Sequence, residues 1–289
     1  MIRRRFNQYS NTPILQSSKG VTLIELLIAL VISAIIVAAL YRAFVSHQKN
    51  YAVQERVADM QQNVRVAISR MMREIRMAGF GNLGDVLSSP GGVNGYTDVI
   101  TPNLTTVTIV GGLRQISTLK VDAIANQKNI TLPNATDASE FDGAIHHFIC
   151  IEGIESNTVQ SRVGAVLTLA NPLKANHPAG TAVFKIHAIT YGIRDDHGTP
   201  VLFRDLYSNT ASSKRETVAE NIENVQFQYF DANGNLLELP IADSGIIRMI
   251  QVSLTARTNM PDPEFKGGDG FRRRTITSNI QIRNMGVNP

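Results

Sequence analysis

The longest apolar tract in the chain is Val21–Tyr41, VTLIELLIALVISAIIVAALY, in which 18 of 21 residues are hydrophobic. As a helix rising about 1.5 Å per residue it spans roughly 31 Å, close to the ~30 Å core of a bilayer. No second stretch approaches this length, so the pattern predicts one membrane span. Beyond it the apolar residues thin to a stripe: Val53, Val57, Met60, Val64, Ile68 with Ala67, Met71 and Ile75. Steps of three and four are helical, and no Pro or Gly falls between Val21 and Ala78. Gly79, Gly81 and Gly84 then supply stop signals. The pattern predicts a single helix from Val21 to about Ala78, roughly 87 Å if straight. It is apolar all round at first and on one face afterwards, and that later stripe reads as core packing.

The period changes after residue 80. Residues 81–104, rich in Gly, Asn, Ser and Pro, read as a long surface connection. β-Branched runs then predict strands at Thr105–Val110, Ile130–Leu132, Ile145–Ile151, Ala165–Leu169, Thr181–Arg194, Val201–Tyr207, Val225–Phe230, Ile246–Thr258 and Arg274–Arg283. Asp195-Asp196-His197-Gly198 and Asp231-Ala232-Asn233-Gly234-Asn235 are turn clusters between strands, and Ser208–Arg215 reads as an exposed loop. The expected class is α+β, a long N-terminal helix packed on antiparallel sheet. The divisions expected are a leader at 1–20, a span at 21–41, an amphipathic extension at 42–80 and a β-rich head at 81–289.

Charge sharpens this picture. The formal charge is +4, yet residues 1–20 alone hold Arg3, Arg4, Arg5 and Lys19 and no acid. The remaining 24 bases and 24 acids cancel. Residues 21–78 have seven bases and four acids, and residues 79–289 have 17 bases and 20 acids. The bulk of the chain is thus slightly acidic, which argues against a polyanion-binding surface. The leader's bases favour a cytoplasmic N-terminus, with everything after Tyr41 across the membrane. A secretory signal peptide would have a 7–15-residue apolar core and a small-residue cleavage site. The tract here is longer and has Glu25 in its first turns. A carboxylate within a span costs about 2.5–3.5 kcal/mol on insertion scales. Glu25 is therefore either a functional group or a side chain protonated or snorkelling near the interface.

The surrounding residues decide between these. Lys19-Gly20-Val21-Thr22-Leu23-Ile24-Glu25, followed by the apolar tract, resembles the cleavage and methylation signature of type IV prepilins and type II secretion pseudopilins. The resemblance implies that a prepilin peptidase/N-methyltransferase cuts after Gly20 and methylates Val21 as the new N-terminus. Thr22, Leu23, Ile24 and Glu25 complete the motif. Valine stands where phenylalanine is commonest, and the leader is longer than many. In a filament of packed apolar helices, Glu25 would pair with a neighbouring subunit's amino terminus and fix the axial stagger, since a buried pair serves register better than stability. Major pilins commonly have a helix-breaking proline about twenty residues into the mature chain. Residues 34–42, AIIVAALYR, have none, which fits a minor pilin or pseudopilin.

Later patches resemble PilW-type minor pilins. They are Ala58-Asp59-Met60-Gln61-Gln62-Asn63 through Met77-Ala78-Gly79-Phe80, then Ala219–Tyr229, and the closing Phe271–Asn284. The resemblance implies a minor pilin that joins and primes assembly of a type IV pilus. Its partners would be other minor pilins, the major pilin and the inner-membrane assembly platform, with no nucleic acid, no cofactor, no metal and no catalysis by this chain. It would sit in the inner membrane with a periplasmic head before passing to the pilus. A J-type pseudopilin of type II secretion is the nearest alternative. A single-pass anchored binding domain is the alternative of another class.

Other candidate chemistry is sparse. P-loop, GxSxG, HExxH and zinc spacings are absent. Adjacent His146 and His147 would face opposite sides of a strand. Asp231–Asn235 has the spacing of a calcium loop, yet its twelfth position is Ala242 rather than a bidentate glutamate, so it reads as a hairpin turn. Asp262, Glu264 and Asp269 share a Gly/Pro-rich loop that reads as solvated, with a bound cation as the alternative. Arg272–Arg274 is the one basic run of the head; alternation on a strand puts at most two on a face, and a structural role is expected over DNA contact. Cys150, the single cysteine, excludes an intramolecular disulfide and reads as a buried thiol.

Overall fold

The computed structural model describes residues 20–142 and 147–285. The chain divides into two compact units, Met1–Gln54 and Glu55–Pro289, and helix α1 (Leu23–Arg76) runs through the division. The predicted helix is therefore present with its ends drawn in by about two residues. It passes through residues 34–42 without a break.

In the first unit no layer among the described residues covers α1. Every large apolar side chain from Val21 to Tyr41 is at least 51% exposed. Among the described residues this is the one helix long and apolar enough to cross a membrane, with a mean hydropathy of 2.9 over its most apolar window.

The second unit holds the rest of α1 and all the sheet. Nine antiparallel strands form the larger sheet: β1 (Ile100–Pro102), β2 (Val107–Thr118), β3 (Asn129–Thr131), β4 (Phe148–Ile151), β5 (Glu155–Val163), β6 (Val166–Leu169), β7 (Ala182–Asp196), β8 (Thr199–Asp205) and β9 (Arg215–Glu220). The spatial order is β1-β2-β7-β4-β5-β6-β3, with β8 joining β7 to β9. A smaller antiparallel sheet runs β11 (Leu236–Leu237), β10 (Ile222–Phe230), β12 (Met249–Arg257), β13 (Arg273–Gln281). The α+β class expected from the sequence is the class observed.

The helical stripe is the core. Met60, Val64, Ala67, Ile68, Met71 and Ile75 are buried in one cluster with Phe227, Tyr229, Val252 and Leu254 of the smaller sheet and Ile109, Ile189 and Tyr191 of the larger. Each such side chain contributes about 1.5–3 kcal/mol when fully buried. One polar network lies beside this seam. Glu74 of α1 accepts from the Tyr191 hydroxyl at 2.6 Å and from Arg204 Nε at 2.8 Å, and Arg204 and Arg70 each reach Glu216 at 3.5 Å. Burial, with the Glu74 carboxylate alongside, pushes the Tyr191 hydroxyl pKa upward, so it stays a donor.

Three sequence expectations need correction. Residues 81–104 are more than a surface connection: they contain the short helix α2 (Gly84–Leu87) and strand β1, and they bury Leu83, Val86, Val93 and Ile100. Apolar residues spaced among turn-formers supply a small satellite core there. The strand expected from Ile246 begins at Met249, because Ser244–Ile246 form a 3-10 turn capped by Asp243. Strands β9 and β11 and the short helix Ala135–Ser139 were not expected from the sequence, and neither was β5, since ESNTVQSRV lacks an apolar run. Its polar side chains are spent on a loop: Glu155 accepts from Lys174 N–H at 2.8 Å, and Asn157 Nδ2 donates to the Asn171 carbonyl at 2.9 Å. Of the strand expected at Ile145–Ile151, residues 145–146 lie outside the described residues.

The exit of α1 is fixed by backbone contact with β2. Gly79 N–H donates to the Val110 carbonyl at 2.9 Å, and Gly112 N–H to the Phe80 carbonyl at 2.8 Å. This approach requires Gly111, where a Cβ would stand 2.8 Å from the Met77 carbonyl oxygen. We expect Gly111→Ala to destabilise the head by about 1–3 kcal/mol in denaturant unfolding. Gly84→Ala, at a position with nothing within 4 Å, should change stability by less than about 0.5 kcal/mol.

Candidate processing and assembly site

Residues 20–22 precede the helix in non-helical backbone and are exposed. The Gly20–Val21 bond thus lies in the kind of chain a peptidase can draw out, immediately before a helix it could not. Among the described residues nothing stands within 4 Å of the place a Gly20 Cβ would occupy, so their packing makes no demand for glycine there.

Thr22 and Glu25 form a reciprocal cap on α1. Thr22 N–H donates to Glu25 Oε2 at 2.9 Å and its hydroxyl to the same oxygen at 3.0 Å, while Glu25 N–H donates to Thr22 Oγ1 at 3.3 Å. The first intrahelical bond runs from Leu26 N–H to the Thr22 carbonyl at 3.2 Å. This is a capping box, which satisfies amide donors that a helix start leaves orphaned. The T-x-x-E spacing was the signal for it, and the sequence reading passed over it. The Glu25 carboxylate also lies where the helix dipole favours negative charge. Its Oε1 accepts nothing among the described residues, so a cationic partner can be added there without breaking the cap. Val21, Leu23 and Ile24 are exposed by 65–79% and offer apolar surface around that carboxylate.

The remaining candidates resolve into packing. Asp262, Glu264 and Asp269 do not gather round a cation. Asp262 Oδ2 takes Arg272 Nε at 2.8 Å, and Asp269 takes Arg273 Nη1 and Nη2 at 2.7 and 2.6 Å. The Glu264 backbone N–H, then the Arg272 guanidinium, hold the Asp262 carboxyl below the usual range. Arg273 holds Asp269 well below it. Among the described residues no three His, Cys, Asp or Glu side chains are grouped to bind a metal. The same contacts commit two members of the basic run, since Arg273 also donates Nε to Glu223 at 2.6 Å. Asp231 caps its own turn, accepting from the Asn233 and Asn235 amides at 2.8 Å, and the turn joins β10 to β11 as a hairpin. His146 lies outside the described residues. Cys150 is fully buried on β4, with Sγ 3.0 Å from where a Gly81 Cβ would stand.

Residues 15–41 match the prokaryotic N-terminal methylation motif. No curated protein and no solved structure matches the chain. The motif covers the whole of the site just described, from ahead of Gly20 to the end of the apolar tract.

Burial pushes the Cys150 thiol up to about 12, which suppresses the thiolate that alkylating reagents require. Maleimide labelling of the folded full-length protein at mildly alkaline pH should leave this thiol unmodified, and denaturation should release one reactive equivalent. Prompt labelling of the native state would contradict the burial.

Proposed function

We propose that the chain is a minor pilin of the PilW type that primes and enters a type IV pilus after removal of its leader. The prepilin-type motif supports a type IV pilin or pseudopilin in general and implies processing by prepilin peptidase and assembly with other pilins. Proteins with this motif and a helix-plus-β head are generally structural rather than enzymatic. The apolar N-terminal helix fits a single-pass inner-membrane anchor. The finer assignment is ours: cleavage after Gly20, N-methylation of Val21, a cytoplasmic leader, a periplasmic head, and assembly with minor pilins, the major pilin and the inner-membrane platform. The observation that carries it is the coincidence of motif, capped helix start and an apolar helix that nothing among the described residues covers. The unbroken helix at residues 34–42 suits a J-type pseudopilin as well, and the genes beside this one would separate pilus from secretion system.

Mass spectrometry of the protein recovered from membranes should find an N-methylated chain beginning at Val21. An uncleaved Met1 would exclude both pilin readings and favour an anchored binding domain. Gly20→Val should abolish cleavage while leaving the fold intact, because no described residue contests its side chain.

Glu25 separates two roles by substitution. Glu25→Gln keeps a capping-box acceptor and removes the charge, whereas Glu25→Ala removes both. If charge pairing sets the subunit stagger, both variants should be cleaved and both should fail to enter filaments, as judged by immunoblot of sheared pili. Normal entry of Glu25→Gln alone would reduce the role of Glu25 to helix capping.

A further inference from the structure

Strand β13 ends the smaller sheet, paired to β12 alone, and the pairing runs without a register shift from Arg273 to Gln281. Two flanking bonds show which backbone groups it spends there. Thr258 N–H donates to the Arg272 carbonyl and Ile282 N–H to the Arg248 carbonyl, both at 2.9 Å. Hydrogen-bonded positions alternate along an antiparallel pair, so the even-numbered residues of β13 turn their backbone toward β12. The N–H and C=O groups of Arg273, Thr275, Thr277, Asn279 and Gln281 point the other way. Among the described residues nothing hydrogen-bonds to them. Exposed edges are ordinarily blunted by charge, proline or a bulge. Thr275–Gln281 has none of these.

The two faces of this edge differ in chemistry. On the outer face Thr275, Thr277 and Asn279 form hydrogen-bonded rungs with Thr255, Ser253 and Gln251 at 2.8–2.9 Å, and none is charged. On the other face Ile276 and Ile280 join the core beside α1, and Arg274, of the same parity, is exposed. The Arg76 carbonyl accepts Arg283 N–H at 3.4 Å, which brings the end of α1 next to the end of β13. Arg65 stands on the same side of α1 as Arg76, three turns earlier. Neither these two nor Arg274 has an ion pair among the described residues. The α1 side of this edge thus holds unpaired bases at both ends, Arg274 where β13 begins and Arg76 beyond where it ends, in a head whose remaining balance is acidic.

We propose that the open edge of β13 accepts an extended strand of another polypeptide, acidic on the side facing α1 and uncharged on the other. Main-chain bonds would supply affinity and alternate side chains specificity. A second copy of this chain is the poorer occupant, because pairing β13 with itself adds the partner's Arg274 to the same unpaired bases.

The test uses the full chain in detergent micelles, titrated with a synthetic peptide of alternating threonine and glutamate matched to β13 in length. A threonine–lysine peptide is the counterpart, and amide exchange is read residue by residue. The glutamate peptide should slow exchange at Thr275, Thr277 and Asn279 about tenfold, and the lysine peptide should leave it unchanged. Thr277→Pro deletes an outward N–H and spares every bond to β12, at an edge position where proline is tolerated, and it should abolish the protection. Should that variant not fold, Arg274→Glu at an exposed side chain should weaken the glutamate peptide's effect at least severalfold. Absent protection, or equal protection by both peptides, overturns the proposal. Protection that rises with protein concentration without peptide assigns the edge to a second copy and overturns it too.

Discussion

Between Val21 and Tyr41 the chain surrounds a helix with apolar side chains, and nothing among the described residues covers them. Burial of a Leu, Ile or Val side chain is worth about 1.5–3 kcal/mol, and every large one in this segment is more than half exposed. Water is not a tolerable environment for such a surface. A lipid bilayer or the helices of other subunits must cover it, and a helix serves because its backbone bonds are satisfied internally. The features nearby follow from that demand. The start of the helix is capped from within the chain, and one Glu25 carboxylate oxygen accepts no hydrogen bond among the described residues.

The second unit is built around the same helix under the opposite condition. From Met60 to Ile75 one face is covered by two sheets, and the adjacent polar side is held by Glu74, Tyr191 and Arg204. Arg204 is only 9% exposed, so each member of this group depends on the others for its hydrogen bonds, and loss of one leaves a costly unpaired group. The glycines at the exit of α1 then let the chain turn on to β2 at backbone distance. One helix thus meets two environments, and the change from all-round to one-sided hydrophobicity in the sequence marks the passage between them.

That change was legible because it is periodic. So were the longer strands, whose apolar residues alternate or run together, and the hairpin at Asp231–Asn235, whose residue types name their own geometry. What escaped was non-periodic or non-local. The buried residues of 81–104 are separated by turn-formers, and β5 is polar because Glu155 and Asn157 hold a loop some twenty residues away. The arginines that neutralise Asp262 and Asp269 follow them closely in sequence, yet Glu223, which shares Arg273, comes from another strand. The motif at Gly20–Glu25 was evident as a motif. Its capping geometry is equally present in the Thr22–Glu25 spacing, because the residues that form the motif also close the first turn of the helix.

The alternation along β13 divides its residues between two masters. Even-numbered positions are answerable to the fold, through the bonds to β12 and the side chains Ile276 and Ile280. From Thr275 to Gln281 the odd-numbered positions aim their backbone groups outward and place hydroxyl or amide side chains on the outer face, where three of them form rungs with β12. Variation at every second residue can therefore exchange one outer-face rung for another while the backbone bonds to β12 and the core side chains stay the same, and a surface could drift from one binding preference to another in steps of two along the strand.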